Sequence, residues 1–438
     1  MQQQNRRKRR IRGITGTLGA VTALAVATLA TASSTLHSPV PATAGPSAAD
    51  PDTDTGADTA TGPGGRTDAA LTESGADAQA LARCRIRTSA GVQMSEGVPT
   101  PPGYARSTGI VRALNLMIDF PDAPGDGHAM ERFAEFFPQT SDWFRTSSYG
   151  RLRYLPDAPV PDWLRMPRTF EAYGIERGAP YEPGYRQLVE DIVAASDERV
   201  DFSAYDLVNI LVTPNAGPSA LDTVLSVTFS GNSDAPRADG VALANTSFVY
   251  SRQDDGSGTF HETGYRVLPH ENGHVFGLPD LYTREGGATV GHWDIMSEDW
   301  GANNDLLGWH KWKLGWLDAS QVRCAVARGS REYTLSPLPR PGQGVKLAFV
   351  PLTRRSGYAV EVRTREGNDE AVCEPGVLIY RVYANVDTGK GPVRVVDSDP
   401  NSGGCTRRPN VHAELSDAPY RPGETFTDRR NGVRITVL

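Results

Sequence analysis

The chain of 438 residues is long enough for two domains with additional segments. Its 39% hydrophobic and 22% charged residues, with 45 glycines and 32 prolines, are typical of a globular, loop-rich protein and exclude fibrous and polytopic membrane classes. The net charge of −7 includes six cations in the N-terminal run RRKRRIR, so the rest of the chain carries −13, and we expect no nucleic-acid partner.

The sequence of residues 1–44 has the pattern of a signal peptide. The basic run is followed by the weakly apolar segment GITGTLGAVTALAVATLA and by the small residues Ala42 and Ala44, the arrangement of a secretory signal. A single membrane anchor is the alternative, but the apolar run is short for a span and contains threonine and glycine. We therefore expect a secreted, extracellular protein with no stable membrane association after the signal has been cleaved.

Residues 45–104 predict a disordered linker or pro-region. Alanine, glycine, threonine and aspartate dominate its first part, and such a composition buries too little apolar surface to offset the entropy of ordering. We expect packed structure from about residue 105 onwards.

The sequence pattern of residues 105–320 predicts a layer of strands and helices. The apolar run at residues 110–120 predicts a buried strand, and the run at residues 206–214 predicts a central strand covered on both faces. Apolar residues recur at helical spacing within YRQLVEDIVAAS. The more alternating segments TVLSVTFSG and ALANTSFVY predict outer strands, and the spacing leaves the polarity of the sheet open.

Residues 321–438 have a different character. Short β-branched segments divided by Gly, Pro and Asp predict a small antiparallel β domain. Just before it, Trp309, Trp312 and Trp316 follow one another at spacings of three and four residues. This helical spacing predicts a core-facing stripe that clamps the preceding region onto the β domain.

The segment HENGHVFGLPDLY, residues 270–282, carries the strongest chemical signal. On a helix over residues 265–277, His270 and His274 lie one turn apart on the same face, so both imidazoles reach one metal ion. Glu271 lies between them in sequence, where a carboxylate can act first as general base and then as general acid. The pattern predicts a catalytic zinc site.

Asp280 is the favoured third ligand. Gly277 can leave the helix with a positive φ and Pro279 forbids its continuation, so the chain can turn back and bring Asp280 to the metal. Two nitrogens and one carboxylate leave a fourth position open, which is typical of catalytic rather than structural zinc sites. Glu298, which follows His274 by 24 residues, is the alternative third ligand.

Two further residues have predicted supporting roles. Met296 lies in WDIMSEDW, 16 residues after Asp280, and a methionine in a tight turn beneath the metal is a hallmark of metzincins. A lone methionine is otherwise ordinary core. Tyr282 can donate a hydrogen bond to a ligand or an oxyanion, although a tyrosine more often packs with its hydroxyl paired nearby.

Three segments together, HENGHVFGLPDLY, WDIMSEDW and LGWHKWKLGWL, resemble the immune inhibitor A family of secreted bacterial zinc metalloproteases. The resemblance extends to LMIDFPD, SSYGRLRY, VDFSAYDLVNILV and EVRTREGNDEAVCEPGVLIYRV, and so covers roughly residues 105–385. The chain departs from the family pattern at Ser297-Glu298-Asp299, where the family has a more glycine-rich turn.

The resemblance implies an α+β fold. A metzincin-like protease domain with a mixed sheet and an active-site helix would be followed by the small antiparallel β domain. It also implies a zymogen with a removable pro-region, protein or peptide substrates outside the cell, zinc, and in many members structural calcium. We expect a monomer. Candidate calcium-binding aspartates lie near residues 119–126, 254–255 and 294–305.

Two other functions remain open from the sequence. The chain can be a binding module in which zinc only stabilises the fold, although a structural site needs no general base. It can also be a zinc amidase acting on cell-wall cross-links, which the residues alone do not exclude.

The four cysteines suit an exported protein with two disulfides, for which three connectivities are possible. Cys373 and Cys405 are a natural pair because both lie in the C-terminal region, which would leave Cys84 to pair with Cys324. A different prediction makes Cys84 a latency ligand whose thiolate caps the zinc until the pro-region is removed.

Overall fold

The computed structural model describes residues 79–176, 178–214, 216, 226–250, 264–283, 289–298, 305–326, 328–370, 372–405 and 415–438. These residues form an α+β protein with two principal sheets and few helices. Within these ranges, none of the helices has the length and apolar character needed to cross a membrane.

The strands in chain order are β1 (Gly109–Asp119), β2 (Leu152–Asp157), β3 (Leu164–Arg165), β4 (Leu207–Val212), β5 (Ser226–Phe229), β6 (Arg237–Ala238), β7 (Val241–Ala242), β8 (Thr246–Val249), β9 (Val322–Cys324), β10 (Leu347–Thr353), β11 (Ser356–Arg363), β12 (Gly376–Tyr383), β13 (Val393–Val395), β14 (Thr425–Asp428) and β15 (Val433–Thr436). The α-helices are α1 (Ala129–Ala134), α2 (Gln139–Ser147), α3 (Arg186–Ser196), α4 (Val267–Val275) and α5 (Gly308–Lys313). Short 3-10 turns include Glu171–Tyr173, Phe202–Ala204, Gly264–Arg266, Gly291–Trp293, Ala319–Gln321 and Gly367–Asp369, and a π-helical turn covers Tyr181–Tyr185.

The first sheet has the strand order β2-β1-β4-β8-β5, with β3 pairing the far end of β1. Its pairs are parallel except for β5, which runs antiparallel to β8 at the edge. The predicted central strand is confirmed, because β4 is buried along its whole length. The prediction of β8 as an outer strand is wrong, since β8 lies inside the sheet. Its polar Ser247 contacts the side chain of Asn272 in α4 rather than solvent, which explains the alternation.

Two apolar layers cover this sheet, one on each face. Ala113 and Met117 of β1 belong to a core shared with α2, α4 and the second sheet. Leu114 and Leu116 of β1 belong to a core shared with α3. Successive residues of a strand point to opposite faces, so an apolar run such as β1 is what a sheet covered on both sides requires.

The second sheet has the order β13-β12-β11-β10-β9 and is antiparallel apart from the β9–β10 pair. It packs directly on the first region: the Trp309 ring stacks on Phe349 with centroids 4.6 Å apart, and Tyr380 Oη accepts a hydrogen bond from Trp309 N. Core residues from both sides of residue 320 belong to one cluster. The hydrophobic core is therefore continuous across that predicted boundary.

Packed structure begins earlier than residue 105. Leu81, Cys84 and Ile86 are buried in the main core, and Glu96 is fully buried against His310. Composition predicts disorder here because apolar residues are few. A disulfide to Cys324 and a buried ion pair with His310 instead attach residues 79–104 to the core. Neither partner can be detected from the hydrophobicity of this stretch.

The cysteines form the pairs Cys84–Cys324 and Cys373–Cys405, with Cα atoms 5.8 Å and 6.1 Å apart. The predicted connectivity is confirmed. The latency role of Cys84 is wrong, because its sulfur is bonded to Cys324 and is not available to a metal.

Candidate metal centre

Helix α4 carries the motif and is shorter than the predicted 265–277. Every one of its residues is buried. It ends at Val275, and Gly277 follows with φ of 87°, the left-handed conformation expected from the sequence. A Cβ at Gly277 would lie 2.5 Å from Thr100 Cγ2, so glycine is also required by the N-terminal segment that packs here.

The two histidines are oriented by backbone carbonyls. His270 Nδ1 is 2.8 Å from the oxygen of Ile295, and His274 Nδ1 is 2.8 Å from the oxygen of Leu278. A carbonyl can only accept a hydrogen bond, so each ring donates from Nδ1, and Nε2 is the atom that would bind a metal. Metal-binding histidines usually have this arrangement.

Asp280 returns to the helix and completes a buried cluster. Its Oδ1 lies 3.4 Å from His270 Nε2 and 3.2 Å from His274 Nε2. Burial alone would raise the pKa of Asp280, but the imidazoles of His274 and His270 outweigh it and hold this pKa well below its usual range. The carboxylate is therefore ionised, as a metal ligand must be.

The cluster fits a metal ion. Ligand atoms of the three residues lie within 4.8 Å of one another, and no other such group is found in the described part of the chain. A tetrahedral zinc with bonds near 2.0–2.1 Å would set its ligand atoms about 3.3 Å apart, which agrees with the distances at Asp280. His274 Nε2 and Asp280 Oδ1 are buried without a hydrogen bond in the described ranges, a cost that a bound cation removes.

Glu271 is fully buried beside the cluster, and its two oxygens differ. Thr228 Oγ1 donates to Oε2 at 2.6 Å, whereas Oε1 has no hydrogen-bond partner among the described residues. Burial raises the pKa of Glu271, and the imidazoles of His270 and His274 only partly oppose it. The carboxylate is thus fixed at one oxygen and left with a raised affinity for a proton at the other.

The alternative ligand Glu298 does not join the cluster. Its Oε2 lies 2.8 Å from His292 Nδ1, and both side chains are buried. The group of potential metal ligands in the described residues contains Asp280 instead.

Met296 lies in a tight turn, in which Ser297 N donates to Asp294 O at 2.9 Å. The methionine is fully buried and packs against helix α4: a Cβ built on Gly273 would lie 2.4 Å from its sulfur. Gly273, which lies between Glu271 and His274, has no side chain and therefore leaves room for the Met296 side chain. Tyr282 is 8% exposed and its backbone oxygen accepts from Gly391 N, and a role at an oxyanion stays a prediction.

A buried polar network, which the sequence did not reveal, sets the position of α4. Asn272 Nδ2 donates to Asn209 Oδ1 at 2.9 Å, and Tyr154 Oη donates to Asn272 Oδ1 at 2.7 Å. Asn209 lies in the middle of β4, so the network joins the helix that carries His270 and His274 to the centre of the sheet. Only the unusual asparagine inside an otherwise apolar strand was a signal for it.

Three of the eight candidate calcium aspartates have cationic partners. Asp119 accepts two hydrogen bonds from Arg165, Asp294 lies 2.7 Å from His310 Nδ1, and Asp305 lies 2.7 Å from Lys311 Nζ. Asp254, Asp255 and Asp299 lie outside the described residues. Structural calcium therefore stays a prediction without an identified site.

The sequence matches no protein-family model and no curated protein. The resemblance to the immune inhibitor A family accordingly stays a prediction.

Proposed function

We propose that this protein is a secreted zinc metalloendopeptidase with a metzincin-like catalytic region, related to the immune inhibitor A family. His270, His274 and Asp280 would hold the zinc, and Glu271 would be the general base. The observation that carries the proposal is the state of Glu271. A carboxylate buried beside a metal cluster, with one oxygen hydrogen-bonded and the other unpartnered, has no purpose in a purely structural site.

Bound zinc would supply a Lewis acid that polarises a peptide carbonyl and lowers the pKa of a water molecule. Glu271 would accept a proton from the attacking water at Oε1 and deliver it to the nitrogen of the leaving amine. Thr228 holds Oε2 throughout, so the carboxylate keeps one orientation in both steps. Burial raises the pKa of Glu271, which favours uptake of the proton by this carboxylate.

Synthesis as a zymogen is part of the proposal. His270, Glu271, His274 and Asp280 are each at most 2% exposed, and a site closed to protein substrates is what a zymogen requires before activation. Because Cys84 and Glu96 are anchored in the core, we place the activating cleavage before Leu81. Export is supported by the two disulfides, which are typical of oxidising compartments.

The test is casein hydrolysis combined with zinc content, using secreted and processed protein. Glu271→Gln is expected to retain zinc and to lose about 10²–10⁴-fold of activity, because only proton transfer is removed. Asp280→Asn is expected to lose zinc. Glu298→Gln is the matched control, a buried carboxylate that we expect to be dispensable for zinc.

The outcomes separate the candidate functions. If Glu271→Gln is as active as wild type, the base is wrongly assigned. If processed wild type binds zinc but cleaves no protein or peptide, a zinc-stabilised binding module replaces the protease, and activity on cell-wall peptides alone would favour an amidase. Loss of zinc from Glu298→Gln with retention by Asp280→Asn would reverse the choice of third ligand.

A further inference from the structure

The loop that joins β12 to β13 reaches the metal cluster. Thr388 in this loop is 6% exposed, and its Oγ1 lies 2.9 Å from the backbone nitrogen of Asp280 and 3.0 Å from Asp280 Oδ2. The hydroxyl accepts a hydrogen bond from the backbone and donates one to the carboxylate. The hydroxyl is thus both donor and acceptor to the same residue, Asp280.

Backbone pairing fixes the loop against the segment that carries Asp280. Gly389 N donates to Asp280 O at 3.1 Å, and Gly391 N donates to Tyr282 O at 3.2 Å. Thr283 and Lys390 form an antiparallel bridge between the same two segments. The position of the Thr388 hydroxyl is therefore set by the backbone and not by its side-chain rotamer alone.

The N-terminal segment holds the loop from its other side. Asp387 Oδ1 accepts hydrogen bonds from Gln93 N at 3.0 Å and from Met94 N at 3.4 Å. The same oxygen accepts from Thr388 N at 2.9 Å. Thr388 is consequently placed by two segments, each far from it in sequence.

We propose that Thr388 is a positioning residue for the third metal ligand, an inference that rests on the proposed metal site. By holding Oδ2, Thr388 leaves Oδ1 of Asp280, the oxygen close to both histidine Nε2 atoms, as the single ligand atom. Without the hydroxyl, the carboxylate of Asp280 can rotate about χ2, and its Oδ2 loses the hydrogen bond from a buried donor. Groups that hydrogen-bond a metal ligand typically change metal affinity by about 10–100-fold when they are removed.

The experiment measures the zinc dissociation constant of the full processed chain by competition with a chromophoric chelator. Thr388→Val removes the hydroxyl with little change in shape, and we expect zinc binding about 10–100-fold weaker. Thr388→Ser keeps the hydroxyl and is expected to bind zinc as tightly as wild type. Thr140→Val is the matched control, because Thr140 is fully buried and its hydroxyl has no hydrogen-bond partner in the described part of the chain.

Near-UV circular dichroism checks that each variant is folded. If Thr388→Val does not fold, Thr388→Ala gives the same comparison with less crowding and an unchanged backbone. Equal zinc affinity of wild type and a folded variant lacking the hydroxyl overturns the role of Thr388 but leaves the metal site standing. A wild-type chain that binds no zinc overturns the proposed metal site itself. Equal weakening in Thr388→Ser and Thr388→Val shows that packing, not the hydrogen bond, is at work, and also overturns the proposal.

Discussion

The two disulfides close loops of very different length, and this predicts unequal losses of stability when each is removed. The Cys84–Cys324 bond spans 240 residues and the Cys373–Cys405 bond spans 32. From the loss of chain entropy in the unfolded state, these lengths correspond to about 5.5 and about 3.7 kcal/mol. Removal of the first bond should therefore cost about 2 kcal/mol more than removal of the second.

The comparison uses two double variants, Cys84→Ala with Cys324→Ala and Cys373→Ala with Cys405→Ala. In each pair one cysteine is buried and the other is half-buried, so the loss of packed sulfur is similar. Urea unfolding under non-reducing conditions, followed by circular dichroism and by tryptophan fluorescence, gives the free energy of unfolding. The two probes must coincide for a two-state analysis to hold.

Equal destabilisation by the two double variants would refute the reasoning from loop length. A larger loss of stability for the Cys373–Cys405 pair would refute it more strongly. Equal destabilisation would indicate that residues 79–104 stay close to the core in the unfolded ensemble, so that the long loop is already partly closed.

Two further predictions concern buried contacts. Burial alone would lower the pKa of His310, but Asp294 and Glu96 raise it to about 10. The ion pairs of His310 stabilise the fold fully below the unfolded pKa of about 6.5, and this stabilisation is lost as the pH rises towards 10. The difference in unfolding free energy between wild type and His310→Gln should therefore shrink over that pH range. A constant difference would contradict this. Gly273→Ala should destabilise wild type by about 1–2 kcal/mol by displacing Met296, yet be neutral or stabilising in a Met296→Ala background, where the higher helix propensity of alanine is unopposed. The same sign in both backgrounds would show that the contact is not limiting.

Features with a short-range cause could be predicted from the sequence. The burial of β1 and β4 follows from continuous apolar runs, and the spacing of His270 and His274 follows from the pitch of a helix. Gly277 and Pro279 encode the turn that brings back Asp280 within a few residues. In each case the signal and the structure lie within one segment.

Features with a long-range cause could not be predicted. Thr228 lies 43 residues before the glutamate that it holds, and Thr388 lies 108 residues after Asp280. Threonine is common in strands and loops, and nothing in its neighbours marks these two. The packing of residues 79–104 could not be predicted for the same reason, because the partners that order them, such as Cys324 and His310, are more than 200 residues away.

The pairing of residues 280–283 with residues 388–391 also sets an order in time. A chain synthesised from its N-terminus contains both histidines long before the loop that supports Asp280 exists, since that loop lies more than 100 residues further on. The cluster therefore cannot acquire its final arrangement on a partly synthesised chain. Completion of the site is in this way a late event of folding, and a product truncated after the first sheet would retain the two histidines without the support that holds Asp280 against them.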